Sequence, residues 1–241
     1  MRPPPRSLRG ARRASWLRAG EGARVEGAGA RPAEPLVLFE FEACPFCRRV
    51  REALTRLDLE AMVRPCPKGG RRHREALLEQ GGKEQLPFLV DPNAGIALYE
   101  SRDIVAHLEG RYGRGANGAG GASPARFFVR STLALVASGL GRGTAGSRAR
   151  PSRAPVEPLV FSGFEADPGS RLVREVLCEL ELVHLSRPTA PGSARRRASR
   201  EGVERDGGPR LFDPNEGFEG VGWRTIVEYL ESTYALAPGR A

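Results

Sequence analysis

The sequence predicts an α/β protein in which one small unit, with the element order βαβαββα, is written twice. Apolar residues follow strand and helix periods in this order along residues 36–113, and the same order returns along residues 158–237. Short motifs recur between the two stretches at a nearly constant offset, which indicates a duplicated domain. We therefore expect two tandem units joined by a linker at 114–157, after a tail at 1–35.

The repeated motifs keep both their letters and their spacing. The clearest are FEA at 41–43 and 164–166, VRE at 50–52 and 173–175, and DPN at 91–93 and 213–215. The offset is 123 residues for the first two motifs and 122 for the third. An offset that stays nearly constant over several motifs indicates that the two units share one fold.

The first unit begins with an apolar strand at 36–39 and passes through the motif CPFC at 44–47 into a helix. Downstream apolar residues repeat with a helical period; they are Val50, Ala53, Leu54 and Leu57. The two cysteines are thus expected at a strand-to-helix junction. At a helix start the unpaired N–H groups and the helix dipole favour an anion, which a cysteine supplies as a thiolate. Pro45 suits the first turn because that position has no N–H bond to lose.

The other elements of the first unit are expected in the order strand, helix, strand, strand, helix. They lie at 61–64, 71–80, 86–90, 96–99 and 100–112. Gly81-Gly82 is a signal for the end of the polar helix. The turn sequence DPNAG at 91–95 joins the last two strands, which indicates a hairpin.

Basic residues are concentrated outside the two units. The chain has a formal net charge of +9. Residues 1–35 hold 8 basic and 3 acidic side chains and residues 113–155 hold 7 basic and none acidic, whereas residues 36–112 balance at 12 and 12. Phosphate binding needs a basic face on a folded surface or a long basic arm, and solvated arms explain this pattern more simply. We therefore expect no nucleic-acid partner.

The N-terminal tail has the composition of an organellar transit peptide. Residues 1–20 contain six arginines, and the first acidic residue is Glu21. A bias towards Arg, Ala and Gly also occurs elsewhere, as at 195–197, so a plain disordered tail is the alternative. No apolar run approaches the roughly 20 residues that a membrane-spanning helix needs, and no transmembrane segment is expected.

The linker is expected to contain one short apolar helix at about 124–140. Ser123-Pro124 is typical of a helix start, and the residues that follow are rich in Phe, Leu and Val. Such a helix needs a cover in water. It would pack against one or both units, or it would form a homodimer interface.

Four cysteines, at 44, 47, 66 and 178, are too few and too irregular for a disulfide scaffold, which favours an intracellular protein. Cys44 and Cys47 are close enough to form a disulfide. The alternatives are inert packing, or a zinc pair completed by Cys66 and His73. Cys66 is expected to be a loop residue or a second redox partner, and Cys178 a buried small side chain. We expect no metal and assign no histidine a role, with His73 facing solvent.

The first unit resembles the thioredoxin-like N-terminal domain of glutathione S-transferases and the glutaredoxins. The residues that carry the resemblance are CPFC at 44–47, Leu86-Pro87 and Glu100-Ser101. Residues 36–236 as a whole resemble the tandem version of this domain found in plants, algae and bacteria. The resemblance implies two thioredoxin-like domains, of which the one at 158–237 is degenerate.

The resemblance also implies the roles of individual residues. Cys44 would be the nucleophile or glutathione contact, and Cys47 the resolving thiol. The implied glutathione-binding residues are Pro45, Phe46, Leu86, Pro87, Glu100 and Ser101. The proline before the third strand would follow a cis bond, and the backbone before it would pair with the cysteinyl part of glutathione as a strand does. The carboxylate and hydroxyl that open the last helix would hold the charged γ-glutamyl group.

The second unit departs from this pattern at the positions that carry chemistry. Asp167 and Ser170 stand in place of the two cysteines, and Gly222-Trp223 in place of the Glu-Ser pair, although Pro209 still precedes the third strand. Aspartate is a good helix cap and cannot replace a thiol. We therefore expect a structural or partner-binding copy without redox chemistry.

Three functional hypotheses follow. The first is a glutathione-binding, glutaredoxin-like thiol-disulfide oxidoreductase that uses Cys44 as nucleophile, glutathione as co-substrate and protein thiols or disulfides as partners. The alternative is a non-enzymatic redox-sensing or scaffold protein. The third is a glutathione transferase, although that function normally uses an all-helical second domain where this chain has a second copy. The resemblance and the tail point to the chloroplast, with the mitochondrion or cytoplasm as alternatives.

Overall fold

The computed structural model describes residues 21–115, 145–196 and 208–237, together with residues 8, 11 and 12. The expected helix at 124–140 lies outside this part of the chain, as do residues 1–20 of the tail apart from residues 8, 11 and 12. Of the helices that are described, none is long and apolar enough to cross a membrane.

The first half of the chain is a four-stranded sheet with helices on both faces. Its elements are β1 (Leu36–Glu40), α1 (Pro45–Arg56), β2 (Ala61–Pro65), α2 (Arg74–Gly81), β3 (Phe88–Asp91), β4 (Ile96–Leu98) and α3 (Ser101–Tyr112). β1 pairs in parallel with β2 and antiparallel with β3, which forms a hairpin with β4. Because side chains alternate along a strand, Leu36 and Leu38 pack with α1 and α3, whereas Phe39 packs with Leu77 of α2. The element order agrees with the sequence prediction.

The described part of the second half has the same pairing. Its elements are β5 (Leu159–Gly163), α4 (Pro168–Glu179), β6 (His184–Pro188), β7 (Arg210–Asp213), β8 (Phe218–Val221) and α5 (Trp223–Tyr234). β5 pairs in parallel with β6 and antiparallel with β7, as β1 does with β2 and β3. Phe161, Val176 and Ile226 are buried in its core between β5, α4 and α5. The positions that would match α2 lie outside the described residues.

The two halves share one eight-stranded sheet, with the strand order β4-β3-β1-β2-β6-β5-β7-β8. The central pair, β2 and β6, is antiparallel, and Met62 lies opposite Leu185. Leu185 lies 123 positions after Met62, so these two residues are counterparts in the repeat and face each other. The register therefore places an approximate two-fold axis between the halves.

Two extended segments connect the halves on either side of this axis. We call residues 21–34 the first strap and residues 145–157 the second strap. In the first strap, Gly22 O accepts the Ala166 N–H (3.2 Å) and Gly27 O accepts the Arg114 N–H (2.6 Å). The second strap contacts the halves in the opposite order: Gly146 O accepts the Ala43 N–H of the first half (3.3 Å), and the Arg153 N–H donates to Tyr234 O of the second half (2.9 Å). The sequence analysis grouped these residues with the tail and the linker, because their composition is rich in Gly and Arg. In the structure, backbone hydrogen bonds and ion pairs such as Arg150–Glu179 hold them in place.

Candidate active site

The motif at 44–47 forms the start of α1. Cys44 is the N-cap residue with extended backbone (φ −71°, ψ 121°), and Pro45 occupies the first turn. The Sγ atom of Cys44 accepts the backbone N–H of Cys47 at 3.3 Å. The sulfur thus lies where unpaired N–H groups and the helix dipole stabilise negative charge.

The pKa values of the two thiols are shifted in opposite directions. The hydrogen bond from the Cys47 thiol lowers the pKa of Cys44, and backbone N–H groups of Cys47 and Phe46 add to this effect against that of burial. Burial raises the pKa of Cys47 well above its usual value. Cys44 is 5% exposed and Cys47 is 0% exposed, while the Phe46 ring beside them is 49% exposed. The arrangement favours the thiolate form at Cys44 over that at Cys47.

The sheet places the other predicted site residues at the end of the strands where the cysteines lie. Phe39 of β1 lies opposite Phe88 of β3, so Pro87 is at the end of the sheet where β1 leads to the cysteines. The Leu86–Pro87 bond is cis, as the resemblance implies. The hairpin register, with Leu89 opposite Leu98, then places Glu100 opposite Pro87.

Glu100 has a backbone conformation that is unusual for a residue with a side chain. It is the N-cap of α3, with φ 60° and ψ 113°. A non-glycine residue in such a sparsely populated region costs of order 1–3 kcal/mol. The next residue, Ser101, is buried in the first turn of α3. A carboxylate is thus maintained at the edge of the site in a conformation that favours glycine.

At the corresponding position of the second half, the start of α4 is occupied by other side chains of the protein. Asp167 caps α4, and its Oδ2 accepts both the backbone N–H and the hydroxyl of Ser170 at 2.6 Å. Gly169 lies so close to Pro209 and Trp223 that an added Cβ would be 3.2 and 3.4 Å from their side chains. The indole therefore covers the start of α4, and no thiol is available there.

A buried charge network, which sequence reasoning missed, joins the halves beside the site. Arg51 Nε lies 2.9 Å from the Glu165 carboxylate, and Arg174 Nε lies 3.0 Å from the Glu42 carboxylate. The two pairs are copies of each other at the offset of 123. Glu40 also binds Arg51, and it breaks the symmetry because the matching residue is Gly163. The repeated FEA and VRE motifs contain these residues and were the available signal.

His73 and Cys66 are both buried in the structure. His73 does not face solvent: it is buried, its Nε2 lies 3.1 Å from the Glu181 carbonyl oxygen, and burial lowers its pKa to about 4. Cys66 is also buried, and burial raises its pKa to about 12. Within the described ranges, no group of three or more His, Cys, Asp or Glu residues is placed to hold a metal ion.

Comparison with known proteins identifies the first half. Residues 38–118, about a third of the chain, match the family model for the glutathione S-transferase N-terminal domain. The first half is thus similar to a glutathione S-transferase N-terminal domain. A solved structure, the Bombyx mori glutathione transferase BmGSTD1, is similar to this chain at 26% sequence identity and a TM-score of 0.31. The match covers 35% of this chain and 38% of the Bombyx mori chain. No curated protein gives a significant match. The segment that matches this family model contains the CPFC motif and all the candidate site residues.

Proposed function

We propose that the protein is a glutathione-linked thiol-disulfide oxidoreductase with Cys44 as its nucleophile. The observation that carries the proposal is the Cys44 sulfur at the start of α1, where it accepts the Cys47 N–H and its pKa is lowered. Thiol-disulfide exchange depends on the thiolate fraction of the attacking cysteine, so this position suits the reaction.

The chemistry begins with a mixed disulfide between a protein thiol and glutathione. The Cys44 thiolate attacks the glutathione sulfur, the protein-glutathione S–S bond breaks, and the protein sulfur leaves as a thiolate that takes a proton from water. A second glutathione thiolate then attacks the glutathione sulfur on Cys44, which releases oxidised glutathione and the Cys44 thiolate. Alternatively Cys47 loses its proton and attacks Cys44 Sγ, which releases glutathione and forms a disulfide that two glutathione molecules later reduce.

Glutathione would lie along the edge where Pro87, Glu100 and the start of α1 meet. The Leu86 backbone would pair with its cysteinyl residue, and Pro45 and Phe46 would line that side. The Glu100 carboxylate would bind the γ-glutamyl ammonium, and the Ser101 hydroxyl with the start of α3 would bind its carboxylate. The register and the strained Glu100 backbone support this placement.

We propose the second half as a degenerate thioredoxin-like copy in tandem with the first. The shared strand pairing, the central register and Asp167 at the start of α4 support this interpretation. A non-enzymatic redox sensor is the second candidate, because Cys44 is only 5% exposed and the second half lacks both motif cysteines. The transferase hypothesis gains no support from β5–β8, which occupy the place of an all-helical domain.

Glutathione-dependent reduction of a mixed disulfide tests the proposal. We expect Cys44→Ser to abolish activity, while Cys47→Ser slows or alters it, because glutathione itself can resolve the intermediate. Full activity of Cys44→Ser would contradict the assignment. If the wild-type chain forms an adduct on Cys44 but does not turn over, the sensor is the better description.

A further inference from the structure

The turn that leads into Cys44 is bound by the second half of the chain. The backbone N–H of Glu42 donates to Cys178 Sγ at 3.3 Å. The backbone N–H of Ala43 donates to the Gly146 carbonyl oxygen in the second strap, also at 3.3 Å. These two acceptors, one on α4 and one on the second strap, thus hold the backbone of the two residues before the nucleophile.

The side chain of Glu42 strengthens this attachment. It is fully buried, and its carboxylate lies 3.0 Å from Arg174 Nε. Arg174 is itself fixed, since it lies 2.9 Å from the Glu165 carboxylate and donates to the Phe164 carbonyl oxygen at 3.2 Å. A buried carboxylate cannot leave such a partner without a large loss of free energy. The turn at 41–43 is therefore tied to α4.

We propose that the second half is the positioning element of the Cys44 site. Arg174, Cys178 and Gly146 hold the turn at 41–43 and thereby fix the Cys44 sulfur against the N–H groups of α1. The positioning itself is a property of the fold, and its consequence for catalysis depends on the proposed function. It gives a physical reason for keeping a second half that lacks the two motif cysteines.

The two-fold arrangement supports the proposal with a matched case. The Glu165 N–H donates to Thr55 Oγ1 at 3.3 Å, and the Ala166 N–H donates to Gly22 O at 3.2 Å. Thr55 is the counterpart of Cys178 at the offset of 123. The same contacts therefore hold the turn before Asp167, and a threonine hydroxyl serves as the acceptor where the other half uses sulfur. A threonine should accordingly replace Cys178 without loss.

Variants of Cys178 in the full chain test the proposal with little risk to folding. Cys178→Val keeps a similar volume but removes the acceptor, whereas Cys178→Thr restores it. We expect hydrogen exchange at the Cys47 amide, whose acceptor is the Cys44 sulfur, to rise about fivefold in Cys178→Val and to stay unchanged in Cys178→Thr. The pKa of Cys44, measured by pH-dependent alkylation with iodoacetamide, should rise in the first variant only.

Arg174→Gln provides a stronger perturbation, with Arg195→Gln as its matched control. Arg195 also makes an ion pair with the first half, 3.0 Å from Asp58, but beyond the opposite end of α1. We expect Arg174→Gln to increase exchange at Cys47 more than Cys178→Val does, and Arg195→Gln to leave it unchanged.

Equal exchange at Cys47 in wild type and Cys178→Val would overturn the proposal, as would an equal increase in the two arginine variants. The result is separable from the proposed function. A chain that forms no glutathione adduct but shows the expected exchange pattern would refute the oxidoreductase and keep the positioning element.

Discussion

The starts of α1 and α4 have the same backbone and different chemistry. Cys44 caps α1 with φ −71° and ψ 121°, and Asp167 caps α4 with φ −72° and ψ 122°. In both helices the cap side chain accepts the N–H of the residue three positions on, Cys47 or Ser170. The fold therefore needs an acceptor at this position and not a thiol. Under the proposed function, the sulfur at Cys44 serves the chemistry rather than the fold.

The residues around the two helix starts also differ, and in each case the first half has the polar side chain. Glu100 has φ 60°, while its counterpart Gly222 has φ 84° and carries no side chain. The second half thus has the residue that this backbone favours, and the first half keeps a strained carboxylate. Trp223 then covers the start of α4, where the first half has the small Ser101. Each difference removes from the second half a group to which the proposed function assigns glutathione binding.

The largest expected effect comes from giving the first site the residues of the second. We expect the double variant Cys44→Asp with Cys47→Ser to fold, because this pair caps α4, and to form no glutathione adduct, because no sulfur remains at the helix start. Mass spectrometry after incubation with oxidised glutathione measures the adduct, and thermal unfolding reports the fold. Cys66→Ser is the matched control and should keep the adduct. An undiminished adduct in the double variant would show that the chemistry lies elsewhere.

The two central arginines of the charge network, Arg51 and Arg174, can be compared by the free energy of unfolding that each contributes. Arg51→Met leaves Glu40, Glu42 and Glu165 short of a partner, and we expect a loss of about 3–5 kcal/mol in the free energy of unfolding. Arg174→Met should cost less, since the counterpart of Glu40 is a glycine. Urea denaturation measures both values. Equal losses would mean that Glu40 adds nothing to the asymmetry.

Glu100→Gly copies the second half at the residue that we propose to bind the γ-glutamyl group. We expect glutathione affinity to fall about tenfold or more, which is the loss of a hydrogen bond to a charged group of about 1.5–3 kcal/mol. The same change should raise the free energy of unfolding by about 1 kcal/mol, because it relieves the positive φ. Calorimetric titration and thermal unfolding test the two parts. A variant that is weaker in both would indicate that Glu100 has a structural role instead.

The smallest expected effect concerns Glu40 and pH. Burial raises the pKa of Glu40 to about 7, and its negative charge raises the pKa of both Cys44 and Cys47. Because the carboxyl is charged only above that pH, Glu40→Gln should increase Cys44 alkylation above pH 7 and leave it unchanged at pH 5. Rates measured with iodoacetamide across this range test the sign. A decrease above pH 7 would contradict the electrostatic account.

The local parts of this architecture could be predicted from the sequence because their signals are local. The helix period after Cys47, the proline at 45 and the turn at 91–95 determined the start of α1 and the hairpin. The repeat offset predicted the matching strand order. These features depend on neighbours in the chain, so a pattern of a dozen residues is sufficient.

The contacts between the halves could not be predicted in the same way. Arg51 and Glu165 are 114 positions apart, and each looks like a solvated charge on its own element. His73 lies on a polar stretch, yet it is buried in the structure, where its ring contacts the Glu181 carbonyl oxygen of the second half. The straps are bound by backbone hydrogen bonds, which leave no mark on side-chain composition, and by ion pairs such as Arg150–Glu231, whose partners are distant in the sequence. The missing information was which face of each half is covered by the other.

The pKa of Cys44 tests the central claim most directly. It is measured by pH-dependent alkylation, with mass spectrometry after incubation with oxidised glutathione. The account predicts a pKa well below the roughly 8.5 of a free cysteine, with a glutathione adduct on Cys44 or a Cys44–Cys47 disulfide. A thiol with an unshifted pKa and no adduct would contradict it, and would place the first half beside the second as a structural domain.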